Sequence, residues 1–299
     1  MFEPQDYFLF YDILNNQVSY YNRYFTQTKH KRRLVIAPND LYKSLQQKIL
    51  DYFIEANPLK ISEYSYAWVS GKNRVDCARL HVDKGCVIEL DIASYFDNIR
   101  THHLTKVFRA NNIFNIFDIP IDEIIKFTTA PIHSGSTERF LAQGFKTSPY
   151  LANAVRYNID MQISAYAIEK NLTYSAYGDN IILSGSEIRG DTIKVVRDIL
   201  KADDFDLKPQ KIKIMPYYKR QEVLGIVVNK KININNDYSK AVIGDIISKL
   251  KSGKELDAVI KGKLNILKSA DNPRDYNYLL KLIERSKHSN ISSTEYSNG

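Results

Sequence analysis

Two acidic residues in this chain stand where carboxylates could hold metal ions. Asp91 closes an apolar, β-prone run that begins at Val87. Asp179 lies in Gly178-Asp179-Asn180, a tight-turn tripeptide between β-prone runs, which predicts a β-hairpin with a carboxylate at its tip. Carboxylates at adjacent strand ends can share a pair of divalent cations, which is the arrangement that transfers nucleotidyl groups. The two residues therefore indicate metal-assisted chemistry on phosphate.

The elements that would position these acids can be predicted from apolar spacing and turn residues. Residues 1–28 predict a helical N-terminal segment, and residues 29–38 predict a basic cluster that continues into a β-branched strand. The loop 141–149 should open a helix with Ser148 as its N-cap and Pro149 as its first residue. Amphipathic helices are predicted by three apolar sets at helical spacing: Leu41, Leu45, Ile49 and Phe53; Leu151, Val155, Ile159, Ile163 and Ala167; and Ile193, Val196, Ile199 and Leu200.

Composition and charge describe a globular protein with a polyanionic partner. The chain has 299 residues, of which 44% are hydrophobic, and a net charge of +8. This balance favours nucleic acid as the partner, although charge alone is weak support. Cys77 and Cys86 are too few for a disulfide framework, so we expect reduced thiols and a cytoplasmic location. We expect neither a signal peptide nor a membrane span, because no apolar run has the required length.

Several motifs in order add a family resemblance to these residues. Asp91 begins Asp-Ile-Ala-Ser-Tyr-Phe, Gln143 begins Gln-Gly-Phe-Lys-Thr-Ser-Pro, Tyr177 begins Tyr-Gly-Asp-Asn, and Lys211 ends Leu-Lys-Pro-Gln-Lys. With these motifs the chain resembles the reverse transcriptases, especially the bacterial retron-type and phage-defence enzymes. It differs from them at Asn180, where a second Asp is usual. The amide keeps an oxygen of similar shape but lacks the negative charge, which should weaken metal binding.

Three further positions separate the chain from the retron signature: Cys77 replaces an asparagine, Lys146 replaces a proline and Leu224 replaces a threonine. Glu89 lies on the same strand face as Asp91. We expect that its carboxylate does not reach the ions.

The resemblance implies a set of roles at an active site. Metal ions would be held by Asp91, the Ile92 carbonyl and Asp179, with Asn180 beside them, and Lys211 would protonate the leaving pyrophosphate. The residues implied to bind the incoming nucleotide or its template base are Arg33, Lys72, Phe96, Gln143 and Gly144. The residues implied to hold the primer are Leu224 and Gly225.

Some of these residues have an ordinary structural alternative. Phe96 would exclude a ribose 2′-hydroxyl by resemblance, but it could also be a core aromatic. Arg33 and Lys72 could lie on a plain solvated surface. Lys213 is a rival to Lys211 as the general acid.

Three histidines are candidates for a chemical or binding role. His81 could be a structural histidine or an RNA contact. His102 and His103 are adjacent, and adjacent residues on a helix point apart, so we expect no shared metal there.

The resemblance implies an α+β right-hand polymerase fold, with an antiparallel palm sheet packed on helices. The implied segments are fingers at 1–84 and 105–139, palm at 85–104 and 140–231, a helical thumb at 232–286, and a disordered tail at 287–299. The thumb helices are predicted at Val242–Leu250, Leu256–Leu267 and Tyr276–Ile283.

The implied function is that of an RNA-directed DNA polymerase, a reverse transcriptase acting with a dedicated non-coding RNA in bacterial anti-phage defence. It would use two Mg²⁺ ions, with Mn²⁺ as an alternative, together with dNTPs, an RNA template and a DNA primer or product strand. An effector protein or a second copy of the chain would be a further partner, and no membrane is expected. The alternatives are untemplated or protein-primed DNA synthesis, as in abortive-infection relatives, and a non-catalytic RNA-binding scaffold.

Overall fold

The computed structural model of the chain describes residues 2–28, 31–188, 190–252, 255–271 and 274–295. Its helices are Pro4–Asn15 (α1), Asp40–Asp51 (α2), Arg74–Arg79 (α3), Tyr95–Asn98 (α4), Thr101–Ala110 (α5), Ile121–Thr128 (α6), Ser148–Val155 (α7), Tyr157–Glu169 (α8), Thr192–Lys201 (α9), Asn236–Lys251 (α10), Ala258–Lys268 (α11) and Arg274–Glu295 (α12). Its strands are Tyr21–Thr28 (β1), Lys31–Pro38 (β2), Cys86–Asp91 (β3), Asn115–Ile116 (β4), Ile119–Pro120 (β5), Ala130–Pro131 (β6), Arg139–Phe140 (β7), Thr173–Tyr177 (β8), Asn180–Gly185 (β9), Lys213–Pro216 (β10), Glu222–Val223 (β11), Ile226–Val227 (β12) and Asn233–Ile234 (β13).

A four-stranded sheet in the order β10-β3-β9-β8 carries both acidic motifs. Strands β8 and β9 are joined through Gly178 and Asp179, so the predicted hairpin with Asp179 at its tip is confirmed. Strand β3 ends on Asp91, as predicted. Nearly every residue of β3 and β9 is buried, without the alternation of a half-exposed strand. This pattern means that both faces of the sheet are covered at these two strands.

A second hairpin, β1–β2, replaces part of the helix predicted for residues 1–28. Helix α1 ends at Asn15, and residues 21–28 form a strand that pairs antiparallel with β2, from Tyr21 opposite Pro38 to Thr28 opposite Lys31. The helix prediction is wrong for 21–28 because aromatic and β-branched residues there find a full-length partner strand. Such pairing decides strand formation more than local preference does.

The predicted amphipathic helices are present, with differences at their ends. Helix α2 buries Leu45 and Ile49 but leaves Leu41 exposed, and Tyr42 takes the buried place instead. Helix α7 begins at Ser148, so Ser148 is its first residue rather than its N-cap, which is Thr147. The Ser148 hydroxyl donates to the Ala142 carbonyl over 2.7 Å, and it therefore closes the loop instead of capping the helix.

The chain divides into two compact units. The first comprises Met1–Gly71, Leu90–Ile181 and Arg189–Ile212, and it holds Asp91 and Asp179. The second comprises Lys72–Glu89, Ile182–Ile188 and Lys213–Gly299.

The second unit contains the small sheet β11-β12-β13 and the helices α10, α11 and α12, which cover the three predicted thumb helices. Helix α12 continues to Glu295, through 287–295, where the sequence predicted disorder. The rest of that predicted tail, 296–299, lies outside the described residues. No helix in the described ranges has both the length and the apolar character needed to cross a bilayer.

Candidate active site

The ends of β3 and of the β8–β9 hairpin bring Asp91 and Asp179 to one place in the first unit. The Ile92 N–H donates to the Asp179 carbonyl over 2.8 Å. Beyond β3, the Ala93 N–H donates to the Asp206 carbonyl and the Lys208 N–H to the Asp91 carbonyl, each over 2.8 Å. The backbone on both sides of Ile92 is therefore fixed, and the two carboxylates lie on neighbouring strand ends.

The Asp91 carboxylate is paired with a lysine side chain. The Lys211 ammonium group forms an ion pair with Asp91 Oδ2, whose side chain is 8% exposed. Lys213, the rival lysine, instead pairs with Glu89 at 3.3 Å in the second unit. The Lys211 ammonium group lies against Asp91, where a metal cation would bind. A site of two carboxylates that already attracts positive charge fits a hard divalent ion, which prefers oxygen ligands.

Asn180 is engaged within the hairpin turn. Its Nδ2 donates to the Tyr177 carbonyl over 3.2 Å and lies 3.4 Å from Asp179 Oδ1. An aspartate could not donate in this position. The amide thus orients the Asp179 carboxylate and replaces like-charge repulsion with an attraction.

A fully buried arginine supports the hairpin tip from beneath, and sequence reasoning did not find it. Arg156 Nε donates to Asp160 Oδ1 over 2.9 Å, and Nη1 donates to the Gly178 carbonyl, one residue before Asp179. Asp160 also accepts from the Ser65 hydroxyl over 3.1 Å. Burial alone would lower the pKa of Arg156, but the Asp160 carboxylate raises it above its ordinary value, so the arginine stays charged. The signal in the sequence was an arginine followed four residues later by an aspartate, a spacing at which the two side chains can pair along a helix.

A cavity of about 280 Å³ opens beside Asp179 in the first unit. It is lined by Arg33, Trp68, Phe96, Gln143, Gly144 and Asp179, among others. Five residues to which the sequence assigned substrate or metal binding therefore share one cavity. The aromatic lining also includes Trp68, which sequence reasoning did not single out.

Aromatic side chains form part of the lining of this cavity. Phe96 is half-buried and meets the Trp68 ring edge-on, with ring centroids 5.5 Å apart. Its neighbour Tyr95 is the core aromatic, since it is buried and its hydroxyl donates to the Ala152 carbonyl over 2.7 Å. Trp68 also packs against the hairpin tip, because a Cβ added at Gly178 would lie 3.1 Å from its ring.

Gly144 lets the loop of Gln143 lie directly on strand β2. The Ile36 N–H donates to the Gln143 carbonyl over 2.9 Å. A Cβ added at Gly144 would lie 2.2 Å from the Ile36 carbonyl oxygen, and its φ of +114° also disfavours other residues. Only glycine therefore allows this close approach.

Three predicted site residues lie in the second unit and are not among those that line the cavity. Leu224 and Gly225 form the turn of the β11–β12 hairpin, with φ of +52° and +81°. Glu89 accepts from the Leu224 N–H over 3.3 Å, so its carboxylate supports this turn. Lys72 precedes Asn73, whose side chain caps helix α3.

His81 has the environment of a structural histidine. It is fully buried, and its Nδ1 shares a 2.6 Å hydrogen bond with the Ser184 hydroxyl. Burial lowers the pKa of His81 to about 3, so the ring is neutral at pH 7. A buried, neutral ring cannot contact RNA, and that alternative is wrong.

The expectation that His102 and His103 point apart is wrong. Their ring centroids lie 3.9 Å from each other, and with Asp204 they bring ligand atoms within 4.8 Å. However, His103 Nδ1 accepts from the Arg100 N–H and Nε2 donates to the Asp203 carbonyl, each over 3.0 Å. Both nitrogens of His103 are thus used by the fold.

Comparison with known proteins adds the family. Residues 25–228 match the model of the family described as reverse transcriptase (RNA-dependent DNA polymerase). The chain is 22% identical over 218 residues to the retron Mx162 reverse transcriptase of Myxococcus xanthus, which covers 66% of this chain and 44% of that protein. It is 23% identical over 232 residues to the retron Ec83 reverse transcriptase of Escherichia coli, which covers 74% of this chain and 72% of that protein. The matched part spans about half the length of Mx162 and of the related Mx65 enzyme of the same species.

A solved structure has the same fold. The telomerase of Candida albicans, in complex with a TWJ fragment of telomeric RNA, superposes with a TM-score of 0.52 and 12% identity, covering 91% of this chain and 56% of that chain. This likeness confirms the predicted α+β right-hand polymerase fold. Since the family model covers more than half of its residues, the chain belongs to the reverse transcriptase (RNA-dependent DNA polymerase) family.

Proposed function

We propose that this protein is an RNA-directed DNA polymerase. The observation that carries the proposal is the single cavity that joins the metal-binding hairpin tip to Arg33, Phe96 and Gln143. A templated nucleotide transfer requires a cationic side chain that binds the triphosphate, an aromatic surface against the sugar and a polar loop beside the base. The family membership of the chain supports the same reaction.

Reverse transcriptases use divalent metal ions, and here the ions would be two Mg²⁺, with Mn²⁺ as the alternative. Asp91, Asp179 and the Ile92 carbonyl would hold them. When bound, the ions lower the pKa of the attacking hydroxyl and offset charge on the phosphate.

The chain's own groups supply the remaining steps. Arg33 binds the triphosphate with a planar guanidinium, which suits bidentate contact with phosphate oxygens. Lys211 leaves Asp91 and donates its proton to the departing pyrophosphate. Asn180 keeps the Asp179 carboxylate oriented throughout.

The substrate would be a dNTP. Phe96 would lie beneath the sugar, where an aromatic ring leaves no room for a 2′-hydroxyl. Replacing it with valine should lower the ratio of kcat/KM for dGTP over GTP. A ratio that stays constant in an active variant would show that Phe96 has no part in sugar selection.

The template would be a dedicated non-coding RNA, in a retron-like anti-phage system. The similar enzymes are named as retron reverse transcriptases, which supports the retron-like part of this proposal. The protein would act in the cytoplasm with an effector protein or a second copy of itself. Fingers at 1–84 and 105–139, palm at 85–104 and 140–231, and thumb at 232–286 complete the proposed assignment, with Leu224 and Gly225 holding the primer.

Primer extension tests the proposal. Purified protein should extend oligo(dT) on poly(rA) with dTTP in Mg²⁺ or Mn²⁺, and Asp91→Asn should not. Extension without poly(rA) would indicate untemplated synthesis, and product that remains bound to the protein after denaturation would indicate protein priming. Binding of RNA without synthesis under either metal would contradict the proposal and leave the scaffold alternative.

A further inference from the structure

Two adjacent tyrosines project from a turn in the second unit, and neither is among the residues that line the cavity. Tyr217 and Tyr218 are 72% and 73% exposed. Their rings meet edge-on with centroids 5.6 Å apart. Ile214, on strand β10 just before them, is 53% exposed. Single exposed aromatics are ordinary, but a group of large apolar side chains on one short segment marks an interaction surface.

The turn that presents these rings is rigid. The Tyr217 N–H donates to the Gly85 carbonyl over 2.8 Å, and the Lys219 N–H donates to the Pro216 carbonyl over 2.9 Å. Asn229 Nδ2 donates to the carbonyls of both Tyr217 and Lys219, over 3.3 and 2.8 Å.

The base of the turn is anchored as well. Gln221, which ends this turn, is fully buried, and its side chain donates to the Lys84 and Met215 carbonyls over 2.9 and 3.0 Å. Gly85 itself is packed so closely that an added Cβ would lie 2.1 Å from the Ser186 carbonyl oxygen. The tyrosine rings are therefore exposed on a fixed support and not on a loose loop.

Four cationic residues lie on the segments next to these tyrosines. Lys219 and Arg220 follow the tyrosines directly, and Lys230 and Lys231 follow Asn229, which is bonded to the same turn. All four cationic side chains are exposed. Arg220 is partly offset by Glu222, at 3.0 Å. Exposed π-faces between cations match the chemistry of an unpaired nucleic-acid strand, whose bases stack and whose phosphates are anionic.

We infer that Tyr217 and Tyr218, with Lys219, Arg220, Lys230 and Lys231, form a stacking platform for an unpaired nucleic-acid strand. None of these six residues is among those that line the cavity with Asp179. The platform thus serves to hold a strand and not to react with it. The inference rests on the proposed function, because the strand would be template RNA or new DNA.

Fluorescence anisotropy with labelled oligo(rU) and oligo(dT) of about 12 nucleotides, a length within the usual site size, tests the platform. The measurements use the full chain carrying Asp91→Asn, without nucleotides, so that binding is separated from synthesis. Tyr217→Ala with Tyr218→Ala should raise Kd by about tenfold or more, because each stacked base contributes at that level. Tyr217→Phe with Tyr218→Phe should retain the wild-type Kd, because the π-face remains. The preferred sugar identifies the strand as RNA or DNA.

The matched control is Phe8→Ala, which removes a ring that is 80% exposed on helix α1. It should leave Kd unchanged. Lys219→Gln should instead reduce the dependence of log Kd on log salt by about one charge, while the tyrosine variants should not change that slope.

An unchanged Kd in the double alanine variant, or an equal loss in the phenylalanine variant, would overturn the inference. So would wild-type failure to bind either oligonucleotide. A double alanine variant that binds RNA normally but loses self-association in sedimentation would assign the surface to a second copy of the chain, and it too would overturn the inference. If the platform fails while primer extension proceeds, the proposed function still stands.

Discussion

The first unit contains two hairpins that differ in how they are supported. The β8–β9 hairpin, which carries Asp179, is buried along most of its length and is bonded from beneath by Arg156. The β1–β2 hairpin, which carries Arg33, buries only Tyr21, Ile36 and Pro38 among its described side chains, all at the end away from its turn. Tyr24 and Phe25 are 47% and 55% exposed.

The difference fits the roles that the proposed function gives the two hairpins, metal binding at Asp179 and triphosphate binding at Arg33. Metal ligands act only within narrow limits of distance and angle, so the acid belongs on a hairpin that the core holds still. A cation that closes on a triphosphate can be carried by a hairpin with few buried contacts, since such elements open at low cost. Loss of the buried support beneath the β8–β9 hairpin should therefore affect stability, and loss of a residue in the β1–β2 hairpin should affect substrate affinity.

The largest effect is expected at the rigid tip. Asp179→Asn should reduce kcat by about a thousandfold or more, because an anionic metal ligand contributes several kcal/mol. The thermal unfolding midpoint should stay within a few degrees of wild type, since Asp179 is only half-buried. Rapid-quench primer extension gives the rate, and near-normal turnover by this variant would remove Asp179 from the metal site.

The buried ion pair beneath the hairpin tip can be tested separately from Asp179. Arg156→Met would leave Asp160 buried and unpaired, which costs about 3–5 kcal/mol of unfolding free energy. Urea unfolding followed by circular dichroism measures this loss. Adding Asp160→Asn should recover part of it by removing the unpaired charge. If the single variant is as stable as wild type, the buried pair does not hold the hairpin.

The exposed hairpin should respond in the opposite way. Arg33→Ala should raise KM for dNTP by about 10- to 100-fold, as expected for lost charge-assisted hydrogen bonds. Its unfolding free energy should change by less than about 0.5 kcal/mol, because the side chain is exposed. Arg33→Lys should restore part of the affinity. A fall in stability comparable to that of Arg156→Met would abolish the distinction between the hairpins.

The smallest effect is expected at Asn180. Asn180→Asp adds charge beside the ions, which should lower the Mg²⁺ concentration for half-maximal activity a few-fold and narrow any preference for Mn²⁺. It also loses the bond to the Tyr177 carbonyl, so in metal-free buffer stability should fall by about 1 kcal/mol. Magnesium titrations compare the two proteins. A variant that needs more Mg²⁺ than wild type would show that the amide does something that charge cannot replace.

The sequence was informative where chemistry imposes a local pattern. Asp91 and Asp179 stand at strand ends that short β-prone runs define, and the loop of Gln143 has an unmistakable order of residues. The strand ends and the loop depend on residues close by in the sequence, so a short stretch of sequence was enough to predict them.

The sequence was uninformative where a partner lies far along the chain. Strand β1 forms only because β2 pairs with it, and Arg156 supports the tip only because helix α8 and β8 place Asp160 and Tyr174 around it. His81 illustrates the same limit, since its burial against Ser184 depends on residues about a hundred positions away. Such contacts have no local signature.

Trp68 is the single tryptophan of the chain, and it lies where occupancy of the cavity would change its surroundings. Its indole touches Gly178 at the tip and Phe96 on the wall, and it is 49% exposed. The intrinsic emission of the protein under selective excitation therefore comes from one known position. The chain thus contains its own optical probe, and nucleotide binding can be followed in the unlabelled protein, with Trp68→Phe as the reference that lacks tryptophan emission.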